Sequence, residues 1–149
     1  MPQPLSNSPA QSFFCPVLAV GAKGFHYLDD LGEIKEISQN QARMVAGKVQ
    51  SLLVCHIPYT RQKLGSNDLR AYDLLELYAF VHPTRFAAPT PAGLAKALGV
   101  EICDDVLDTP MMMLDCVNAL LSDLAQKQNS EKLLHIAEIM GMNGKAWPW

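Results

Sequence analysis

An α/β domain is the fold class this chain predicts, and three observations predict it. Residues 16–37 break into three short strand-like runs separated by turn residues. Over residues 39–55 a helical period gives way to a continuous apolar run. From Pro110 onward the pattern is helical. The first observation implies an antiparallel meander of three strands. The second implies a helix crossing over to one or two parallel strands. The third implies a helical C-terminal part, with helices packed on the sheet.

Each element has a local reason. Pro16-Val17-Leu18-Ala19-Val20-Gly21 is a short apolar run, as in a buried strand, and Gly21-Ala22-Lys23-Gly24 supplies turn chemistry. Phe25-His26-Tyr27-Leu28 returns as a second strand. After the turn Asp29-Asp30-Leu31-Gly32, the stretch Glu33 to Ile37 alternates polar and apolar. Ser38 caps a helix whose Ala42, Val45, Ala46 and Val49 share one face. Ser51 to Cys55 reads as a central strand buried on both faces. Pro58 ends it, because proline cannot donate to a ladder. Tyr59 to Leu64 then forms a short helix closed by Gly65, and Leu69 to Tyr72 a last strand.

Asp73 caps a helix that shows Leu74, Leu77, Tyr78 and Val81 on one face, and His82-Pro83 stops it. Phe86, with Pro89 and Pro91, is expected to pack a loop over the core. Thr90 before Pro91 starts a helix that Leu98-Gly99 ends. Met112, Met113, Cys116, Val117, Leu120, Leu121 and Leu124 form one stripe, and Met111-Met112-Met113 reads as a helix entry packed on the core, with an adaptable partner surface as the alternative. Ser130 caps a last helix through Leu133, Leu134, Ile136, Ala137 and Met140, with Gly141 closing it.

At 149 residues, with 49% apolar and 18% charged side chains, the chain has enough apolar material for one core. Its net charge of −3 provides no global basic field, so any nucleic-acid contact has to be local or supplied by a neighbouring domain. Cys15, Cys55, Cys103 and Cys116 form no Cys-x-x-Cys pair and read as free thiols of a reducing, cytoplasmic protein. No apolar run approaches the ~18 residues that span a bilayer, so no membrane partner is expected. Met1 to Gln11 is rich in Pro, Ser, Asn and Gln and reads as a tail rather than a targeting peptide. The expected organisation is a flexible tail over 1–12, one domain over 13–128, and a helix with the start of a linker over 129–149.

Residues 53–99 carry the sharpest wording: L-V-C-H-I-P-Y-T-R-Q-K-L-G, then A-Y-D-L-L-E-L-Y-A-F-V-H-P, then T-P-A-G-L-A-K-A-L-G-V. With the order meander, helix, strand, helix, strand, this is similar to ribonuclease-H-like exonucleases of the proofreading class. The 73–99 wording and the terminal Trp147-Pro148-Trp149 resemble more narrowly the N-terminal region of bacterial DinG-type ATP-dependent DNA helicases. In those proteins a proofreading-like domain precedes two motor domains.

The chain departs from the family where the chemistry lies. The family's first strand carries Asp-x-Glu; here it reads Val17-Leu18-Ala19-Val20-Gly21. Its second motif runs from His-Asn to Phe-Asp; here His56 stays and Arg61 takes the acid's place. For the third motif, Asp108 or Asp115 could occupy the acid position. Two-metal phosphodiester hydrolysis needs several carboxylates to hold and neutralise two cations ~4 Å apart. The resemblance therefore implies relic positions at His56, Arg61, Asp73, Asp108 and Asp115, with no metal site and no catalysis.

His56 also fits a hydrogen-bonded strand end, and Asp73 a plain helix cap. Arg61, Lys63, Arg70 and Arg85 are candidate nucleic-acid contacts or simply solvated charges. No Gly-rich phosphate loop ending in Gly-Lys-Ser or Gly-Lys-Thr is present. ATP and Mg are thus expected only in motor domains beyond this chain, which would be its partners in cis, with single-stranded DNA as a further partner. On this resemblance the abrupt Trp-Pro-Trp ending fits a cut chain. A rival expectation is a stand-alone adaptor that binds through Met140, Met142 and Trp147. A second rival is a residual metal-dependent 3′–5′ exonuclease.

Overall fold

The computed structural model describes residues 12–22, 24–127, 130–142 and 148–149. Among these residues five strands form one mixed sheet: β1 (Val17–Val20), β2 (Phe25–Leu28), β3 (Ile34–Ile37), β4 (Leu53–Val54) and β5 (Tyr72–Asp73). Their spatial order is β3-β2-β1-β4-β5. The β1-β2 and β2-β3 pairs are antiparallel, with Val17 opposite Leu28 and Leu28 opposite Ile34. The β1-β4 and β4-β5 pairs are parallel, with Val17 beside Leu53 and Leu53 beside Tyr72. The expected meander and both parallel strands are present.

Among the described residues six α-helices accompany the sheet: α1 (Gln39–Lys48), α2 (Ile57–Leu64), α3 (Leu74–Val81), α4 (Pro91–Leu98), α5 (Thr109–Ala125) and α6 (Ser130–Met142). One layer is built on Leu18, Phe25, Leu52 and Val54, which meet Ala42 of α1 and Leu64 of α2. The other is built on Val17, Ala19, Leu28 and Leu53, which meet α3, α4 and α5 through Leu77, Leu94, Met113 and Val117. Successive strand residues point to opposite faces, so Leu53 and Val54 serve different cores. β1 lies in the middle, and Val17, Leu18 and Ala19 are essentially excluded from water. Burial of each such leucine contributes about 1.5–3 kcal/mol.

Helix ends follow the sequence closely. Ser38 and Gln41 form a reciprocal capping box at α1, with Ser38 N–H donating to Gln41 Oε1 at 2.9 Å. Thr90 Oγ1 accepts from Gly93 N–H at 3.0 Å at α4. Gly65 and Gly99 sit at φ +68° and +70°, the left-handed caps that only glycine adopts without strain. The end of α3 is tied to α5 where His82 Nε2 meets Asp123 Oδ2 at 2.8 Å, and Lys127 Nζ donates to the Val81 carbonyl. Among the described residues no helix is long and apolar enough to cross a membrane.

Several expectations are corrected. α2 starts at Ile57 rather than Tyr59, because a proline is tolerated in the first helical turn, where its missing N–H is not needed. β4 is two residues long, and the last strand is Tyr72–Asp73 rather than 69–72. Leu69 and Ala71 are still buried, so burial without ladder pairing mimicked a strand. A 3-10 turn over Val106–Asp108 precedes α5, which begins at Thr109. Of the methionine triplet, Met112 and Met113 are buried while Met111 is exposed. The last helix runs through Gly141 to Met142. Phe86 does not cover the core: it is 91% exposed. The readings placed on residues 1–11, Lys23 and Trp147 lie outside the described residues.

Two glycines in helices should respond oppositely to alanine. A Cβ at Gly47 of α1 meets open space, whereas one at Gly93 of α4 would lie 2.5 Å from the Ala88 carbonyl oxygen. Gly47→Ala should raise stability by up to about 1 kcal/mol. Gly93→Ala should lower it by about 1–3 kcal/mol through the backbone clash. Urea unfolding of both variants checks the contrast; equal effects would show that the α4 contact with residue 88 is looser than described.

Candidate functional site

The most constrained polar group lies where the two parallel strands end. β4 runs out through Cys55 into His56, which opens α2; β5 ends on Asp73, which opens α3. The carboxyl ends of parallel strands are where α/β sheets form ligand crevices. Here the ends are closed by one carboxylate. Asp73 Oδ1 accepts the Glu76 N–H at 2.9 Å, the ordinary cap of its own helix. Its Oδ2 accepts the Ile57 N–H at 2.8 Å, which is the first N–H of α2. His56 Nδ1 lies 3.3 Å from the same oxygen.

Asp73 is only 4% exposed. A buried carboxylate is costly unless hydrogen-bonded, and here two backbone donors, two positive helix ends and an imidazole surround it. The need comes from α2, whose cap residue His56 makes no side-chain cap bond. Sequence reasoning identified Asp73 as the cap of α3 and missed its second duty. The available signal was Cys55-His56-Ile57-Pro58, a helix start with no Ser, Thr, Asp or Asn to cap it.

An aromatic cluster stands beside this node. The Trp149 and Tyr72 rings are 4.7 Å apart, and Phe13 meets Tyr72 edge-on at 5.8 Å. The Trp149 indole N–H donates to the Asp73 carbonyl at 3.2 Å. The half-buried tryptophan thus finds apolar contact and a polar partner together, the usual requirement of an indole.

A histidine held by a carboxylate is a general-base arrangement in form, because the carboxylate selects the ring tautomer. The adjacent thiol cannot serve as its nucleophile at neutral pH. Burial, then the negative charge of Asp73, pushes Cys55 up to about 12. Burial likewise holds Cys15 and Cys116 at about 12. The node's evident work is capping two helices.

The other sequence candidates separate. Arg61 Nη2 donates to the Leu69 carbonyl at 2.8 Å, fastening α2 to the segment before β5. Arg85 Nη2 donates to the Ala97 carbonyl at 2.6 Å. Lys63 stands over the Tyr59 ring at 5.5 Å, and Arg70 is exposed. Asp108 precedes α5 and Asp115 lies on its exposed side. Among the described residues, no three His, Cys, Asp or Glu side chains are gathered as a metal-ligand group. The fold therefore joins His56 to Asp73, and places Arg61, Lys63 and Arg70 on or beside α2.

Removing the node's carboxylate should cost far more than removing its imidazole. Asp73→Ala should destabilise by about 2–4 kcal/mol, as two helix caps fail together. His56→Ala should cost below ~1 kcal/mol in chemical denaturation. Comparable losses would show that the pair, not the double cap, holds the site. In the same native protein, iodoacetamide at pH 8 should leave Cys15, Cys55 and Cys116 unmodified, because the reactive thiolate is suppressed until pH approaches 12. Mass spectrometry before and after denaturation reads this out; rapid native labelling of Cys55 would mean that the node opens.

The chain matches no family model, no curated protein and no solved structure with which it was compared.

Proposed function

We propose that the chain is a ribonuclease-H-like domain that has lost the carboxylates of a proofreading exonuclease. It serves as a non-catalytic accessory domain at the N-terminus of a DinG-type DNA helicase, where it docks on the motor domains or guides single-stranded DNA. The supporting observation is the strand order β3-β2-β1-β4-β5, antiparallel on one side of β1 and parallel on the other. That order resembles the ribonuclease-H arrangement, in which the first and middle strand presents metal-holding acids. Here that strand is Val-Leu-Ala-Val. Apolar side chains offer no oxygens to a divalent cation. Arg61, at the position of the family's second acid, points its guanidinium to a backbone carbonyl. ATP and Mg belong, on this reading, to motor domains beyond residue 149.

DNA guidance would fall to Lys63 and Arg70 on the α2 side, because Arg61 and Arg85 each already donate to a backbone carbonyl. A second reading, a stand-alone interaction protein, is favoured by α6, whose Leu134 and Ile139 stand 64% and 49% exposed. The residual exonuclease falls to the same digestion test as the first reading.

Purified protein incubated with 3′-labelled single-stranded DNA and Mn²⁺ should leave the label intact. Steady 3′ degradation that disappears on mutating Asp108 or Asp115 would overturn the non-catalytic reading. Fluorescence anisotropy at low salt should show weak, salt-sensitive binding. Lys63→Glu combined with Arg70→Glu should weaken it about tenfold and flatten its salt dependence. Unchanged binding in that variant would remove the DNA-guiding role and leave docking.

A further inference from the structure

The sheet separates two layers of opposite charge. Residues 39–72, which include α1 and α2, carry five Lys or Arg against the single acid Asp68. Residues 101–123, on the other layer, carry six Asp or Glu and no Lys, Arg or His. Asp123 is engaged by His82, and Asp105 accepts the Leu107 N–H at 3.0 Å. Glu101, Asp104, Asp108 and Asp115 are exposed and make no ion pair among the described residues.

The same stretch exposes large apolar side chains. Ile102, Val106, Leu107 and Met111 are 48%, 59%, 40% and 41% exposed, all within ten residues around the 3-10 turn that leads into α5. Single exposed apolar residues are ordinary, whereas apolar residues exposed together are the usual signature of an interaction surface. The stretch is anchored from beneath by buried Pro110, Met112 and Met113, so it is held in shape without a partner. Unneutralised carboxylates around it repel phosphate and attract Lys and Arg.

We infer that the 102–111 shoulder is a docking surface for a protein partner presenting an apolar side chain ringed by Lys or Arg, while nucleic acid is confined to the opposite, α1–α2 layer. The inference rests on the accessory-domain reading for the existence of a partner; its location rests on exposure and charge. The two apolar residues of the 3-10 turn, Val106 and Leu107, supply the anchor, and Asp104 and Asp108 supply the complementary charge. The partner's basic rim would orient it, as charge across an interface generally fixes register and speeds encounter.

The test titrates isotope-labelled protein with a synthetic amphipathic helix bearing Leu on one face and Lys on the other. Amide shifts should concentrate at Ile102 to Met111 and shrink as salt is raised. Val106→Ser with Leu107→Ser should weaken binding about tenfold, the size of a lost interface anchor. Asp104→Asn with Asp108→Asn should weaken it severalfold at low salt and little at high salt. Lys63→Glu with Arg70→Glu should leave it unchanged. All of these positions are exposed or half-exposed, and an unaltered unfolding midpoint confirms that each variant folds.

Equal binding by a control helix with Ser in place of Leu, or with Glu in place of Lys, would overturn the inference. So would shifts centred on α1 and α2, displacement of the helix from the shoulder by single-stranded DNA, or no binding at all. Sedimentation showing a dimer that the double-Ser variant abolishes would replace the partner by a second copy of this chain. If no helix binds and the DNA label survives Mn²⁺, only the docking surface falls. If the label is degraded, the accessory-domain reading falls first.

Discussion

The Asp73 carboxylate joins the starts of two helices that are distant in the chain. It sits at the end of β5, caps α3 through one oxygen and caps α2 through the other, with His56 against that second oxygen. Both helix starts present N–H groups with no partner inside their own helix, and the almost fully buried Asp73 accepts one from each. The positive ends of two helices converge on one negative charge. The backbone pairing of β4 with β5 brings that group beside the start of α2, and the Asp73 backbone carbonyl accepts from the Trp149 indole.

The same economy sets His56 beside a thiol that is held protonated. Its ring is oriented by a carboxylate, as a catalytic base would be, but the neighbouring thiol is held protonated by burial and by Asp73 itself. The electrostatics that stabilise the helix starts suppress nucleophilic chemistry beside them. An apolar β1 extends the pattern, because Val17, Leu18 and Ala19 contribute cohesion to both cores and offer no side-chain oxygens.

Charge is arranged with equal definition. The weak net charge of −3 conceals a basic layer of α1 and α2 and an acidic stretch leading into and along α5, kept apart by the thickness of the sheet. Screening over about 8–10 Å at ordinary ionic strength keeps the two fields largely independent.

The α/β class, the three-strand meander, the crossover to parallel strands and nearly every helix were legible in the residues. Each rests on a short-range rule: alternation over Glu33 to Ile37, the Ser38 cap, the Thr90-Pro91 start, and Gly65 and Gly99 as stops. Strand ends were less legible. Leu69 and Ala71 are apolar because they are buried, and burial alone does not create a ladder. Phe86 failed in the opposite sense, since hydrophobicity states a preference for burial and not a guarantee of it. The candidate site was half visible: His56 and Asp73 each stood out, yet their meeting depends on β4 and β5 lying side by side, sixteen or more residues apart in the chain. The layering of charge was invisible for the same reason. A sequence records which residues are charged or apolar, and local sterics turn that record into helices and turns; only the packing of distant elements decides which groups face one another and which face water.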